Sequence, residues 1–367
     1  MRTAPKVIEL EPAGIVRMRG TDAVKFLQGQ LSNDVARLTA QHSLLAGYHN
    51  PQGRTIALLR LVQWDAEDIL ALVPRELAMV VAGRLSKFVL RAKVKVVDES
   101  AGWRVVGLVG AASGAGGAGL ATGAAGAAGA GVAATNAGPG AARLASNDAA
   151  AMAAAVDGPV GVSAAQAELP LSVGAQVRGD GAVFVCVGDQ PLRWLAITPA
   201  DAPSPVLDYP AGDRAMWQRL EVAAGLPQVY ASTSEEFVAQ MLNLDALDAI
   251  AFDKGCYTGQ EVIARAHYRG RVKRRMQRFV SREACQLSPG DSGQLAGGRT
   301  FKVVQAAQLA DGRCDFLAVA PMVGAGSEAT DAASKMASGT SDAATTAAPV
   351  AVILLADQAP LPYPLPH

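Results

Sequence analysis

The chain is poor in cysteine, histidine and aromatic residues for its length of 367. Its four cysteines, Cys186, Cys256, Cys285 and Cys314, include no CxxC pair, and the four histidines do not cluster with them. That spacing argues against a zinc site and against a disulfide framework, and it fits a reducing, cytoplasmic compartment. Neither sign of charge is in excess, with 33 Lys plus Arg against 33 Asp plus Glu, so the global charge selects no nucleic-acid or membrane surface. Met1 to Leu10 lacks an apolar core of signal-peptide length, and secretion is not expected. The uncharged stretch Ala111 to Ala142 contains only Leu120 and Val132 as strongly apolar residues, too few for a membrane span.

Alanine and glycine are abundant instead. They raise the mean hydropathy to +0.19, chiefly through low-complexity runs at about 111–155 and 324–348. Both runs read as flexible insertions that bury no core. The length calls for two or three compact units. The composition shifts divide the chain into a first part at 1–110, an insertion at 111–165, a second part at 166–275 and a C-terminal unit at 276–367.

The ordered remainder reads as an α+β protein. Thr21 is positioned to cap a helix whose apolar face carries Val24, Leu27 and Leu31, with Asp22 in its first turn. The turn Asn50-Pro51-Gln52-Gly53 separates the apolar run Leu44–Tyr48 from a long strand, Thr55–Trp64. A strand at Ile69–Val73 leads through Pro74 into an amphipathic helix bearing Leu77, Val81, Leu85 and Phe88. Strand patterns follow at 93–97, 104–109, 181–187 and 193–198, then a helix at 213–224 carrying Met216, Trp217 and Leu220 inward. Helices on one side of a largely antiparallel sheet account for this order. Short strands with glycine-rich turns after Met276 predict a small β-barrel.

One stretch concentrates the chemistry: Asp253-Lys254-Gly255-Cys256-Tyr257-Thr258-Gly259-Gln260-Glu261. Thr258 and Glu261 have capping-box spacing, which predicts a helix from Gly259 to just before Gly270, with Cys256 ahead of its N-terminus. The helix dipole and the Lys254 charge would both favour thiolate at Cys256. Two readings of Cys256 are open, a reactive thiol tuned by Lys254 and an inert small hydrophobe. Gly255 and Gly259 allow sharp turns on either side of it.

Lys254-Gly255-Cys256-Tyr257-Thr258-Gly259-Gln260-Glu261 resembles the signature of the YgfZ family of folate-binding proteins, which are related to the glycine-cleavage T-protein. Phe26 to Asp34, Phe237 with Gln240, Asn243 and Leu244, and Leu361-Pro362-Tyr363 extend the similarity over the chain outside the two insertions. The resemblance implies a T-protein-like folate-binding fold with a small C-terminal β-barrel, holding tetrahydrofolate or a derivative. It implies Trp217, Tyr257, Gln240, Asn243 and Arg265 as cofactor-binding residues. It also implies an accessory role for iron–sulfur enzymes, with an indirect effect on tRNA modification.

Trp217 taken alone fits ordinary core as well as a pocket wall. A second pocket tryptophan of the family aligns with Ala13. The aspartates on which the T-protein depends align with Ala57 and Leu58, neither of which can donate or accept a proton, so aminomethyl transfer is not expected. A folate-dependent transferase using another acid, such as Asp34, is the competing reading. Another is an RNA-binding module built on the basic run from Arg265 to Arg278, a run that reads equally as a solvated face.

Overall fold

The computed structural model describes residues 5–10, 13–110, 169–179, 181–204, 206, 209–270, 272–322 and 352–366. The expected insertions at 111–165 and 324–348 both lie outside the described residues.

Three sheets are present among the described residues, two of them in place of the single sheet expected before the barrel. The first contains β2 (Ala13–Arg19), β3 (Leu44–His49), β4 (Thr55–Asp65), β5 (Asp68–Pro74) and β6 (Lys95–Asp98), in the order β3-β4-β5-β2-β6. The second contains β1 (Lys6–Glu9), β7 (Trp103–Val109), β8 (Gln176–Gly179), β9 (Ala182–Asp189) and β10 (Leu192–Pro199), in the order β1-β7-β10-β9-β8. Every strand pair in these two sheets is antiparallel. The third comprises β11 (Arg274–Ala284), β12 (Ser292–Leu295), β13 (Thr300–Gln308), β14 (Arg313–Pro321), β15 (Val352–Leu354) and β16 (Ala356–Ala359), and it curls into a nearly closed barrel.

The first sheet is buried on both faces, so its strands are near-continuous apolar runs. On β4, Leu59 and Leu61 face a core shared with α1 (Ala23–Gln28) and α2 (Arg75–Ser86), while Val62 faces the second sheet. On β5, Ile69, Ala71 and Val73 take the helical side, and Leu70 and Leu72 take the other. This alternation follows from the two-residue period of a strand. Ile15, Leu70 and Leu72 thereby meet Val185, Leu195, Ile197 and Trp217, the last from α3 (Arg214–Ala223).

Some local expectations are corrected. Helix α1 has Asp22 rather than Thr21 at its N-cap, with no side-chain cap, and it buries Ala23, Phe26 and Leu27. Val24 is exposed, because a six-residue helix turns it away from the core before the face can repeat. Phe88 lies beyond the end of α2 and is also exposed. Asp213 caps α3 by accepting from the Ala215 amide at 3.0 Å.

Candidate functional site

A cavity of about 460 Å³ opens between the sheets. Its wall is assembled from distant parts of the chain: Ala13 of β2, Leu58 and Arg60 of β4, Leu195 of β10, Trp217 and Glu221 of α3, and Gln305 of β13. Three positions singled out by the resemblance therefore meet at one place. Trp217 is there, with Ala13, where the resemblance implies the family's other pocket tryptophan, and Leu58, where it implies one of the T-protein's two aspartates. Both readings of Trp217 hold together, since it lines the cavity and belongs to the core between the first two sheets. Its ring packs so close to Gly107 that a Cβ there would lie 2.7 Å from Cε3 and Cζ3.

The inner end of the cavity is polar. Glu221 accepts a hydrogen bond from Gln305 Nε2 at 3.2 Å and is also hydrogen-bonded by the Trp217 side chain. Burial raises the Glu221 pKa, while Arg193, the Trp217 and Gln305 hydrogen bonds and Arg60 pull it back down. Burial lowers Arg60 to about 10, and the Arg193 charge acts in the same direction. Arg193 places its guanidinium 5.5 Å from the Trp217 ring centre.

These polar residues were missed by sequence reasoning. A signal existed for two of them: Arg60 interrupts the apolar run Leu58–Val62, and Glu221 lies four residues, one helical turn, beyond Trp217. Gln305 and Arg193 carried no comparable signal, because their positions depend on how separate sheets pack.

The signature segment forms a second centre. Helix α4 (Gln260–Arg269) starts one residue later than expected, and the Thr258–Glu261 capping box is not formed. Gly259 takes the N-cap position with φ of +83° and no side-chain cap. The reason is close packing: a Cβ at Gly259 would sit 2.5 Å from the Asn50 carbonyl oxygen and 3.1 Å from Gly53 Cα. Gly259 thus fits against the β3–β4 turn as only glycine can. At Gly255 a Cβ would meet nothing within 4 Å and φ is not positive, so nothing at that position requires glycine.

Lys254 is tied down. Its Nζ donates to the carbonyls of Gln28 and Leu31 at 2.8 Å and of Asn33 at 2.7 Å, and it lies 5.3 Å from the Tyr257 ring centre. Burial lowers its pKa to about 8. In place of a charge dedicated to Cys256, Lys254 is a strut that locks the signature onto the Phe26–Asp34 segment. Cys256 itself is exposed and is not part of the cavity wall.

Four residues expected to bind cofactor are likewise absent from that wall: Tyr257, Gln240, Asn243 and Arg265. Tyr257 is buried, which pushes its hydroxyl up to about 12. Gln240 Nε2 donates to the Ile263 carbonyl at 2.7 Å, and Asn243 Nδ2 donates to the Met276 carbonyl at 2.9 Å. Both amides are joints that fasten α4 and β11, which explains their place in a conspicuous motif without a ligand. Arg265 is exposed on α4. Gln260, Glu261 and Thr258 lie at the start of α4, with Glu261 exposed and the other two half-buried.

The basic run does not form one free surface. Arg275 makes a buried bidentate pair with Asp245, with both contacts at 2.9 Å, and Arg278 pairs with Asp315 at 2.6 Å. Among the described residues no cluster of His, Cys, Asp and Glu suited to a metal is found, and no helix is long and apolar enough to cross a membrane.

The fold is that of a T-protein-like α+β protein with a C-terminal barrel-like sheet. The glycine cleavage system aminomethyltransferase T of Bartonella henselae superposes with a TM-score of 0.58 at 14% identity, covering 87% of this chain and 79% of that one. In sequence the chain is similar to a YgfZ protein, and in fold to the T-protein. It is 27% identical over 319 residues to the tRNA-modifying protein YgfZ of Pectobacterium carotovorum, covering 84% of this chain and 81% of the relative. An uncharacterized protein of Haemophilus influenzae is 26% identical over 270 residues, covering 73% of this chain and 71% of its own length. No family model matches the chain.

Proposed function

We propose that the chain binds tetrahydrofolate or a derivative in the cavity and acts in the cytoplasm as an accessory protein to iron–sulfur enzymes, influencing tRNA modification indirectly. The observation that carries the folate half is the meeting of Ala13, Leu58 and Trp217 around one hollow of about 460 Å³. Such a volume and a mostly apolar wall with a few convergent polar groups suit a flat heterocycle. The donor set fits as well. Glu221 and the Gln305 Oε1 atom, which has no partner, are acceptors for ring N–H groups. Tetrahydrofolate would supply one-carbon chemistry at its ring nitrogens; the residues of this chain bind and orient it.

Aminomethyl transfer is disfavoured by the same wall. Leu58 lines it where the T-protein has an aspartate, and the carboxylates among the described lining residues are Glu76 and Glu221. Asp34, the alternative acid, is engaged elsewhere, accepting from Gln28 Nε2 at 2.8 Å and capping the short turn that follows.

The iron–sulfur half rests on the resemblance and on the exposure of Cys256. In this reading the thiol handles sulfur or a cluster intermediate on a surface separate from the folate cavity. Two experiments test the proposal. Tetrahydrofolate should quench tryptophan fluorescence saturably, and Trp217→Phe should remove most of that change. In cells lacking the protein, Cys256→Ser should fail to restore a cluster-dependent enzyme; full rescue would dismiss the thiol's role.

A further inference from the structure

Arg60 lines the cavity and is 8% exposed, and Glu221 of the same wall attracts it. The neighbouring Arg193, 2% exposed and outside the wall, is attracted by both Glu221 and Asp189. The Arg60 side chain makes no hydrogen bond or ion pair with any other described residue, although it lines the cavity. Its guanidinium nitrogens are not among the buried atoms left without a partner, so they are open to the cavity, where a ligand can supply the acceptor.

The polar atoms around it form a pattern. Arg60 offers N–H donors with no acceptor, Glu221 offers carboxylate oxygens, and Gln305 Oε1 is a buried acceptor without a partner. The matching ligand edge must present an oxygen acceptor beside two or more N–H donors. A 2-amino-4-oxopteridine has that edge, with the ring oxygen next to a ring N–H and an exocyclic amino group.

We propose that Arg60 is the specificity-determining residue of the cavity, donating to the 4-oxo group of a pteridine whose amino and ring N–H groups are taken by Glu221 and Gln305. The inference rests on the folate reading and goes beyond it, because it assigns the buried edge and the group that is selected. A 4-amino group would set donors against donors at Arg60, and sites that read a hydrogen-bonding group reject the analogue that cannot complete the bond.

The test compares tetrahydrofolate with its 4-amino-4-deoxy counterpart by equilibrium dialysis, on the wild-type chain and on Arg60→Met. The wild type should prefer the 4-oxo compound by about tenfold or more, the range of a hydrogen bond to a charged group. Arg60→Met should weaken tetrahydrofolate binding by a similar factor and bind the two compounds about equally. Equal binding of both compounds by the wild type overturns the inference alone, as does a preference that survives in Arg60→Met. Binding of neither compound overturns the folate reading and the inference with it. If Arg60→Met does not fold, the wild-type comparison decides.

Discussion

Trp217 and Glu221 stand one turn apart on α3 and share a hydrogen bond, so the aromatic wall of the cavity and its buried carboxylate are positioned by the same helix. Trp217→Phe keeps a ring in the wall but removes the indole donor. Glu221 then loses one of its fixed partners, and tetrahydrofolate affinity should fall about tenfold, as expected for a hydrogen bond to a charged group. Equilibrium dialysis on the two proteins measures the difference.

The packing of Gly259 on the β3–β4 turn gives a prediction about stability. Gly259→Ala places a Cβ 2.5 Å from the Asn50 carbonyl oxygen at a φ of +83°, and should destabilise the fold by about 1–3 kcal/mol. Gly255→Ala meets nothing within 4 Å and should change stability by less than about 0.5 kcal/mol. Urea denaturation of both variants checks the contrast within one motif.

Lys254 and Cys256, two residues apart, should behave differently. Lys254→Met strips three backbone carbonyls of their donor and should cost about 1–3 kcal/mol in denaturant unfolding. Cys256→Ser should leave stability nearly unchanged. Under native conditions a thiol reagent should label Cys256 fastest, because Cys186 and Cys314 are buried and Cys285 is half-buried. The fast phase should vanish in Cys256→Ser.

His49 supplies a pH dependence. It is 1% exposed, and burial lowers its pKa from 6.5 to about 3. Above pH 6.5 the imidazole is neutral in both folded and unfolded chains and contributes nothing to the slope. Between pH 6.5 and 3 the unfolded chain binds a proton that the folded one refuses, so stability is lost as pH falls, by about 1.4 kcal/mol per unit at most. His49→Gln should flatten the unfolding free energy between pH 6 and 4 relative to the wild type.

The sequence made the motif visible without disclosing what most of it does. Periodicity located β4, β5, α2 and α3 because each has a long apolar pattern, and a helix after Gly259 was legible from its flanking signals. The first sheet's burial on both faces was not legible, since an apolar run does not say how many layers cover it. At the site, Trp217 was recognised and stands in the wall, whereas Gln240 and Asn243 are internal joints and Tyr257 is buried away from the wall. Residues that fasten a fold and residues that hold a ligand look alike in a motif; only the partners of their polar atoms separate them. Arg60 and Glu221 went unread because their meaning comes from a juxtaposition of β4 and α3, which are far apart in the chain.

The measurement that bears most directly on the folate assignment is a calorimetric titration of the full chain with tetrahydrofolate, beside Leu58→Trp, whose larger ring would project into the hollow and obstruct it. Saturable heat at one ligand per chain, strongly weakened in a folded Leu58→Trp protein, is the expected result. No saturable heat from the wild type, or undiminished binding with the ring in the hollow, would contradict it.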